Sequence, residues 1–251
     1  MKFNSSFDRV IYGINPVREA LKAKKRFISL YIQKGREKEF EDLLRIANSL
    51  SIKTKIIEKT FFDSKFPKGH QGIYAHIIDK KETSFEDVYE DIIKSGEKPF
   101  FVILDGIEDP RNLGAIIRTA DAVSVHAVIH QKHRSAHLSA VTSKVSAGAT
   151  EHVRIIETGN IKNVIKKMKL ENIKIIGADH EARHTLWEVD LNQPVAVVLG
   201  GEDKGIRPTV KSLCDEVLKI PMRGKILSLN VSVAMGIVSF EVLRQRQINL
   251  K

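Results

Sequence analysis

Five polar residues stand out in this sequence because each lies in, or soon after, a loop that follows a predicted strand. They are Asn112, Arg118, Glu202, Ser228 and Asn230. Ligands collect at the carboxyl ends of the strands in open α/β sheets. The amide, guanidinium, carboxylate and hydroxyl groups offer hydrogen-bond donors, acceptors and charges of both signs. The sequence therefore predicts a functional site in the stretches that carry them, residues 104–120, 199–205 and 220–236.

The first stretch leads into a helix that carries Arg118. Gly114, Ala115 and Ala122 are expected as close neighbours on that helix, so a large ligand has room to approach the guanidinium. The alternative is an ordinary ion pair between Arg118 and Asp121 on a solvated helix face. The sequence leaves both interpretations open.

The second stretch contains paired glycines, Gly200 and Gly201, after an apolar strand. Glycines at such a position let a ligand contact the backbone. The loop is not a Walker A phosphate loop, because Gly205 is followed by Ile206, and it does not match the GxGxxG dinucleotide motif. A simple tight turn is the alternative.

The third stretch begins as a short strand ending at Pro221 and leads to a helix for which Asn230 is a suitable N-cap. Residues 231–240 include no charged side chain, and apolar or small residues occupy every face. A helix that is apolar all round is buried all round, and this one is too short to span a bilayer. We expect it to pack on its own sheet and on a second surface, such as another subunit.

Strands and helices alternate along both halves of the chain, which predicts an α/β fold. In the second half the apolar strands favour a parallel sheet covered on both faces. Predicted strands there are 100–104, 127–129, 153–155, 173–177, 195–199 and 217–220. Predicted helices lie near 112–123, 137–146, 160–169, 207–213 and 231–247. The first half has predicted strands at 9–13, 27–32, 53–57 and 72–78, with helices at 15–23, capped by Asn15, and at 37–50.

An acidic, polar segment at residues 80–98 separates the two halves and is expected to hold a short helix. We therefore predict a domain at residues 1–79, a linker at 80–98 and a second domain at 99–251. Residues 1–80 contain 17 Lys and Arg against 9 Asp and Glu, within a chain of net charge +10. This excess indicates a polyanionic partner, nucleic acid before membrane. A merely soluble basic surface is the alternative.

The composition excludes several classes of protein. The chain of 251 residues has no run of 18 apolar residues, and its amino terminus is polar, unlike a signal peptide. Cys214 is the single cysteine, which indicates a reducing cytoplasm and a small buried apolar role. Four histidines are irregularly spaced in a basic segment, so we predict no metal site there. They are His126, His130, His133 and His137.

Together the three stretches resemble, in order, the three motifs of the SpoU (TrmH) family of SPOUT RNA methyltransferases. The matching residues are 112–120, 199–205 and 220–234, and the resemblance covers roughly residues 99–247. Residues 12–17 and 70–72 are similar to the ribosomal-protein-like substrate-binding domain of this family. The pairing most resembles members that methylate a guanosine ribose in large-subunit rRNA.

The resemblance implies features that periodicity does not show. The second domain is expected to be a SPOUT domain with a deep trefoil knot that holds S-adenosylmethionine. The expected partners are RNA and a second copy of the chain, which pairs through its C-terminal helix. The implied cofactor-binding residues are Leu199, Gly200, Gly201, Ile220, Leu229 and Asn230.

The implied reaction is transfer of a methyl group to a ribose 2′-oxygen, with the five polar residues lining the site. Asn112 and Asn230 are expected to orient the ribose or the cofactor, and Glu202 to orient Arg118 or Asn112. A guanidinium is a very poor base at neutral pH. We therefore expect Arg118 to bind a nearby phosphate and to stabilise the developing alkoxide.

Two other functions compete with this one. The first is a related enzyme that methylates tRNA, or that modifies rRNA to confer antibiotic resistance. The second is a ribosome-assembly protein that binds RNA and has lost the chemistry. The intact set of five polar residues argues against the second alternative.

Overall fold

The computed structural model describes residues 8–65, 69–78, 83–132, 135–136, 138–202, 204–225 and 228–248. These residues form an α/β fold with two sheets, as predicted. The chain divides into two compact units, residues 1–81 with 138–152, and residues 82–137 with 153–251. Across the described ranges, no helix is long and apolar enough to cross a membrane.

The α-helices of the described residues are α1 (Ile14–Lys22), α2 (Glu41–Ser49), α3 (Lys59–Lys65), α4 (Phe85–Ser95), α5 (Pro110–Ala122), α6 (Ala140–Val145), α7 (Ile161–Leu170), α8 (Pro208–Lys211) and α9 (Val231–Ile248). The strands are β1 (Asp8–Tyr12), β2 (Arg26–Gln33), β3 (Thr54–Ile57), β4 (Ile73–Ile78), β5 (Phe100–Asp105), β6 (Ala127–Gln131), β7 (Ile155–Thr158), β8 (Lys174–Ala178), β9 (His184–Thr185), β10 (Val195–Gly200) and β11 (Glu216–Lys219). The predicted elements are present, except that the strand predicted at 153–155 is displaced to Ile155–Thr158. Helix α3 and strand β9 are short elements that the apolar pattern missed.

The first unit contains a four-stranded sheet with the order β1-β4-β2-β3. Strand β4 is antiparallel to β1 and β2, and β3 runs parallel to β2. Glycine at position 13, with φ of 94°, precedes helix α1 in place of the predicted Asn15 cap. The first helical amide, Ile14 N, donates instead to the Gln71 side chain at 3.0 Å. The prediction that Asn15 caps α1 was therefore wrong, because a residue far along the sequence supplies the acceptor.

The second unit contains a seven-stranded sheet with the order β7-β6-β5-β10-β8-β11-β9. Every pairing in it is parallel, as predicted. All six residues of β5 are buried, which fits a strand covered on both faces. The carboxyl ends of parallel strands lie at one edge, so the loops after β5, β8, β10 and β11 meet there.

Helix α4 lies within the segment predicted as a linker. Ser84 caps its first turn, and Gly96 ends it in the left-handed conformation. Phe85, Val88 and Ile92 pack into the hydrophobic core of the second unit. The acidic segment therefore contributes an amphipathic helix to that core, with its charged residues outward.

Helix α9 is buried on one side only in the single chain. Met235 and Val238 are fully buried, whereas 49% of Val233 and 53% of Phe240 are exposed. The Asn230 side chain caps the helix, since its Oδ1 accepts a hydrogen bond from Ser232 N at 2.9 Å. The predicted cap is confirmed, and the predicted second apolar face of the helix lies open.

Candidate active site and cofactor pocket

The loop after β10 is held against the end of β5 by a buried carboxylate. Asp105 is 1% exposed, and it accepts hydrogen bonds from Arg207 N at 2.9 Å and Arg207 Nε at 2.7 Å. Arg207 also donates to the Gln131 side chain at 2.7 Å. A buried charge is tolerated only when it is paired and hydrogen-bonded in this way. The sequence reasoning missed this pair, because nothing in the spacing of Asp105 and Arg207 shows that they meet.

The paired glycines permit a close approach of backbone to backbone. Gly201 N donates to Asp105 O at 3.0 Å, and a Cβ atom at Gly201 would collide with the carbonyl of Gly106. A Cβ atom at Gly200 would collide with the backbone of Gly205 and Ile206. The structural reason for both glycines is therefore the packing of their own loops, and this packing brings Gly200 to the wall of a cavity.

That cavity has a volume of about 680 Å³ and lies at the carboxyl edge of the seven-stranded sheet. Most of the predicted cofactor-binding residues line it, namely Leu199, Gly200, Gly201, Ile220 and Leu229. Glu202 and Ser228 line the same cavity. Sites that bind cofactors and other small molecules usually have volumes of several hundred Å³. The structure thus brings the second and third stretches together, as expected, around a space of suitable size.

A chain of hydrogen bonds joins all three stretches. Asn112 Nδ2 donates to Glu202 Oε1, and Asn230 Nδ2 donates to Asn112 Oδ1 at 3.1 Å. Asn230 Oδ1 in turn accepts from Ser232 Oγ at 2.6 Å. Each amide is thereby fixed in one orientation, with its oxygen and nitrogen in known directions. Glu202 accepts a hydrogen bond from Asn112, which is the contact that one of its two predicted roles requires, and the role itself stays a prediction.

Arg118 is exposed on α5. Among the residues described here it forms neither a hydrogen bond nor an ion pair, and the alternative pair with Asp121 is not found. Long charged side chains of this kind are available to a ligand, because no protein partner must first be displaced. Arg118 forms no hydrogen bond to Asn112, Glu202 or Asn230, so its role at the site stays a prediction.

The sequence reasoning also missed a polar wall of the cavity. Asp179, directly after β8, accepts a hydrogen bond from Lys211 Nζ at 2.7 Å and from Glu181 N at 3.0 Å. Partial burial by itself raises the pKa of Asp179, but these hydrogen bonds outweigh it and lower the pKa below its ordinary value. All three residues line the cavity. The one sequence signal for this wall is that Asp179 directly follows an apolar strand, as residues at the carboxyl edge of a parallel sheet do.

The histidine segment is only partly described, since His133 and His137 lie outside the described residues. His126 accepts from Phe100 N at 3.1 Å and contacts Glu97 at 3.1 Å. His130 is buried and lies 3.5 Å from Glu157. Within the described ranges no group of three or more His, Cys, Asp or Glu residues is arranged to hold a metal ion.

Two family profiles match the chain. Residues 99–240 match the SpoU rRNA Methylase family, and residues 10–83 match the RNA 2′-O ribose methyltransferase substrate binding family. The two matches fall on either side of helix α4, and the first includes all five polar residues of the candidate site.

Relatives of known function match along nearly the whole chain. The 23S rRNA (guanosine-2′-O-)-methyltransferase RlmB of Escherichia coli strain K12 is 42% identical over 240 residues, or 94% of this chain and 98% of the relative. The protein of the same name from Yersinia pestis is 39% identical, over 94% of this chain and 97% of the relative. The SpoU methyltransferase AviRb from Streptomyces viridochromogenes, solved with the cofactor AdoMet, has a TM-score of 0.83 at 21% identity, over 97% of this chain and 92% of that chain. This last likeness supports the fold.

Proposed function

The chain belongs to the SpoU rRNA methylase family, and we propose that it transfers a methyl group from S-adenosylmethionine to a ribose 2′-hydroxyl of RNA. The observation that carries this proposal is the chain of hydrogen bonds from Glu202 through Asn112 to Asn230, which joins three distant stretches beside one cavity. We assign the chemistry to the domain predicted at residues 99–251 and RNA binding to the domain predicted at residues 1–79. Of the chain outside these assignments, helix α4 within residues 80–98 packs with the second unit, and residues 138–152 belong to the first unit. Relatives of 39 to 42% identity carry this activity in their names.

The substrate proposed is a guanosine of large-subunit rRNA. Both relatives compared above are named for a guanosine of 23S rRNA, and this chain spans at least 97% of each of them. A protein that modifies rRNA works where ribosomes are made, so we also propose a cytoplasmic location.

The cavity fits the proposed cofactor in size and in lining. S-adenosylmethionine, when bound, supplies a methyl group that is activated by the positive charge on its sulfur. Backbone groups of Gly200, Ile220 and Leu229 at the wall would hold it, as the resemblance implies. The deep trefoil knot that the same resemblance implies around this cofactor stays a proposal.

The residues of the chain then have separate tasks. Asn112 and Asn230, held in fixed orientation by Glu202 and by the start of α9, position the ribose hydroxyl. Arg118 binds the neighbouring phosphate and stabilises the alkoxide as its proton leaves. Ser228, exposed at the cavity, is available as a further donor or acceptor for the nucleotide.

The first unit is proposed to bind RNA through its unpaired basic residues. In the dense basic cluster at residues 22–26, Lys22 pairs with Glu19 at 2.9 Å and Lys25 lies 3.5 Å from Glu151. Lys24 and Arg26 are exposed and form no ion pair with any described residue. Each phosphate contact contributes about 0.7 to 0.9 to the slope of log affinity against log salt concentration. A Lys24→Asn and Arg26→Gln double variant should therefore bind RNA more weakly and with a shallower salt dependence.

A homodimer is proposed through the open face of α9. Val233 and Phe240 are seven residues apart, so they lie on one side of the helix and form an exposed apolar strip. Such a strip marks an interaction surface. Phe240→Glu should produce a monomer in analytical ultracentrifugation, whereas an exchange at exposed Leu170, on α7, should leave the mass unchanged.

The test of the function is transfer of labelled methyl groups from S-adenosylmethionine to separated rRNA and tRNA from a strain that lacks the protein. Label at one guanosine ribose of large-subunit rRNA is expected. Label in tRNA would replace the proposed substrate with the alternative one. Absence of label from both RNAs and from precursor ribosomal particles would contradict the enzymatic function.

A further inference from the structure

The polar wall of the cavity is a preformed pair of opposite charges. Lys211 Nζ donates to Asp179 Oδ2 at 2.7 Å, and Glu181 N donates to Asp179 Oδ1 at 3.0 Å. The Asp179 side chain is 11% exposed and that of Lys211 is 34% exposed. The pair is therefore held in place by the backbone and is accessible from the cavity.

Both members keep capacity for further hydrogen bonds. An ionised carboxylate has about four lone-pair sites, of which the protein uses two here, and an ammonium has three donors, of which Asp179 takes one. The wall thus presents a free acceptor directly beside a free donor. A ligand group that both donates and accepts from adjacent atoms is the natural complement.

The charge of the pair narrows the choice of ligand group. Asp179 and Lys211 neutralise one another, and His180 Nδ1 lies 3.7 Å from Asp179 Oδ1 on the same wall. An anionic ligand group approaching Lys211 would be repelled by the Asp179 carboxylate 2.7 Å from its Nζ, so a neutral polar group is favoured over a carboxylate. Two neighbouring hydroxyls meet this requirement, since each one donates and accepts.

The place of the pair in the sheet agrees with this. Ala178, just before Asp179, lies opposite Leu199, and Leu199 lies opposite Leu104 of β5. Asp179 is therefore two strands away from the strand that leads to Asn112, or about 10 Å at the usual strand spacing. One end of the cavity lies near the reactive chain of amides, and the other end lies near the charge pair.

We propose that Asp179 and Lys211 bind the vicinal hydroxyls of the ribose in the adenosine cofactor. Asp179 accepts a hydrogen bond from one hydroxyl, and Lys211 donates to the other. This assignment rests on the proposed function, because it takes the cofactor to be an adenosine compound. Neither residue was indicated by the three motif-like stretches, and their role is one of binding, apart from the chemical step.

The test measures binding of S-adenosylhomocysteine, which has no methyl group to transfer, and of its 2′-deoxy and 3′-deoxy analogues, by titration calorimetry. A hydrogen bond to a charged group is worth about tenfold or more in affinity. The wild-type protein should bind the parent compound about tenfold more tightly than either deoxy analogue. Asp179→Asn and Lys211→Met should each weaken binding of the parent compound by a similar factor. Each variant should scarcely change binding of the analogue that lacks the hydroxyl contacted by the replaced residue.

Lys169→Met is the matched control, because Lys169 forms an ion pair with Asp215 at 2.7 Å and has a similarly exposed side chain. It should bind all three ligands like the wild type. Equal wild-type affinity for the three ligands, or an equal loss for all three in both variants, would overturn the ribose assignment alone. Failure of the wild-type protein to bind any of them would instead overturn the proposed cofactor and function.

Discussion

Two regions of this molecule, the first unit and the candidate site, each contain an arginine and a glutamate whose surroundings can be compared. In the first unit, Arg9 donates to both carboxylate oxygens of Glu151, at 2.8 and 3.1 Å, and the Glu151 side chain is fully buried. In the candidate site, Arg118 and Glu202 are both exposed, and Glu202 binds Asn112 instead of an arginine. The same residue types therefore stabilise the fold in one region and stay available to a ligand in the other.

The difference follows from what surrounds each carboxylate. Lys25 lies 3.5 Å from Glu151, and Thr150 Oγ1 donates to it at 3.0 Å, so its capacity for hydrogen bonds is taken up by protein groups. Water and ligands have no access to it. Glu202 lines an open cavity, where a hydrogen-bonded but solvated group can exchange partners. Burial and hydrogen-bond partners, more than residue type, distinguish charged side chains that stabilise the fold from charged side chains that are available to a ligand.

The largest effect should come from removing Glu151. Glu151→Ala removes the carboxylate that accepts two hydrogen bonds from buried Arg9, and breaking a buried ion pair typically costs about 3 to 5 kcal/mol of unfolding free energy. Urea denaturation followed by circular dichroism measures this loss. Arg9→Met combined with Glu151→Met should recover much of the stability, because a buried pair exchanged for apolar residues is often neutral. A loss below about 1 kcal/mol in the single variant would show that the pair is not structural.

The next largest effect should come from Arg118→Ala, which should lower the catalytic rate and leave the stability of the fold unchanged. Loss of a group that stabilises developing negative charge typically lowers kcat by about 10² to 10³-fold. The melting temperature should stay at the wild-type value, since Arg118 has no partner among the described residues. Unchanged turnover in Arg118→Lys, which has a different donor geometry, would count against both phosphate binding and alkoxide stabilisation.

Glu202 offers a finer test of the site. If it acts by orienting Asn112, Glu202→Gln should retain most of the activity, because the glutamine oxygen still accepts from Asn112 Nδ2. Glu202→Ala should lower kcat/KM by about tenfold, the typical value of one hydrogen bond to a charged group. Steady-state rates at saturating cofactor distinguish the two variants. An equal loss in both would mean that the negative charge, and not the orientation, matters.

Much of this arrangement could be predicted from the sequence, and the rest could not for identifiable reasons. The apolar runs predicted all the strands of the large sheet except β9, whose two residues, His184 and Thr185, carry no apolar pattern. Asn230 was predictable as a helix cap because a cap depends on residues that are adjacent in the sequence, here Asn230 and Ser232. The Asp105–Arg207 and Arg9–Glu151 pairs were not predictable, because they join residues more than one hundred positions apart. The existence of a second apolar face on α9 was predictable, since residues 231–240 are apolar or small on every side of the helix.

The loop glycines show a further limit of sequence reasoning. Gly200 and Gly201 indicated that something approaches the backbone, and the structure identifies it as the chain itself. A glycine in a sequence indicates that there is no room for a side chain, but it does not show whether a ligand or another part of the chain occupies that space. The wall formed by Asp179 and Lys211 was missed for a related reason, as an aspartate and a lysine thirty-two positions apart carry no local pattern.

The smallest predicted effect concerns a buried titratable group outside the cavity. Burial lowers the pKa of His126, and the neighbouring Glu97 opposes this only in part, while Arg246 adds to the lowering. Phe100 N donates to His126 Nδ1, which requires the neutral ring. The folded state therefore binds fewer protons than the unfolded state between the two pKa values. Stability is complete above the ordinary histidine pKa of about 6.5 and falls as the pH decreases through and below it.

His126→Asn should flatten this dependence, because its amide oxygen accepts from Phe100 N without titrating. The measurement is the unfolding free energy at pH 7.5 and at pH 5.5 for both proteins, with His180→Asn as a control at an exposed histidine. The wild type and the control should lose more stability on acidification than His126→Asn. Identical losses in all three would mean that burial at His126 is too weak to matter. Burial of a polar group in the second unit would then not be enough to show that the group stabilises the fold. The contrast between Arg9 and Arg118 would depend only on whether each side chain has an ion-pair partner among the described residues.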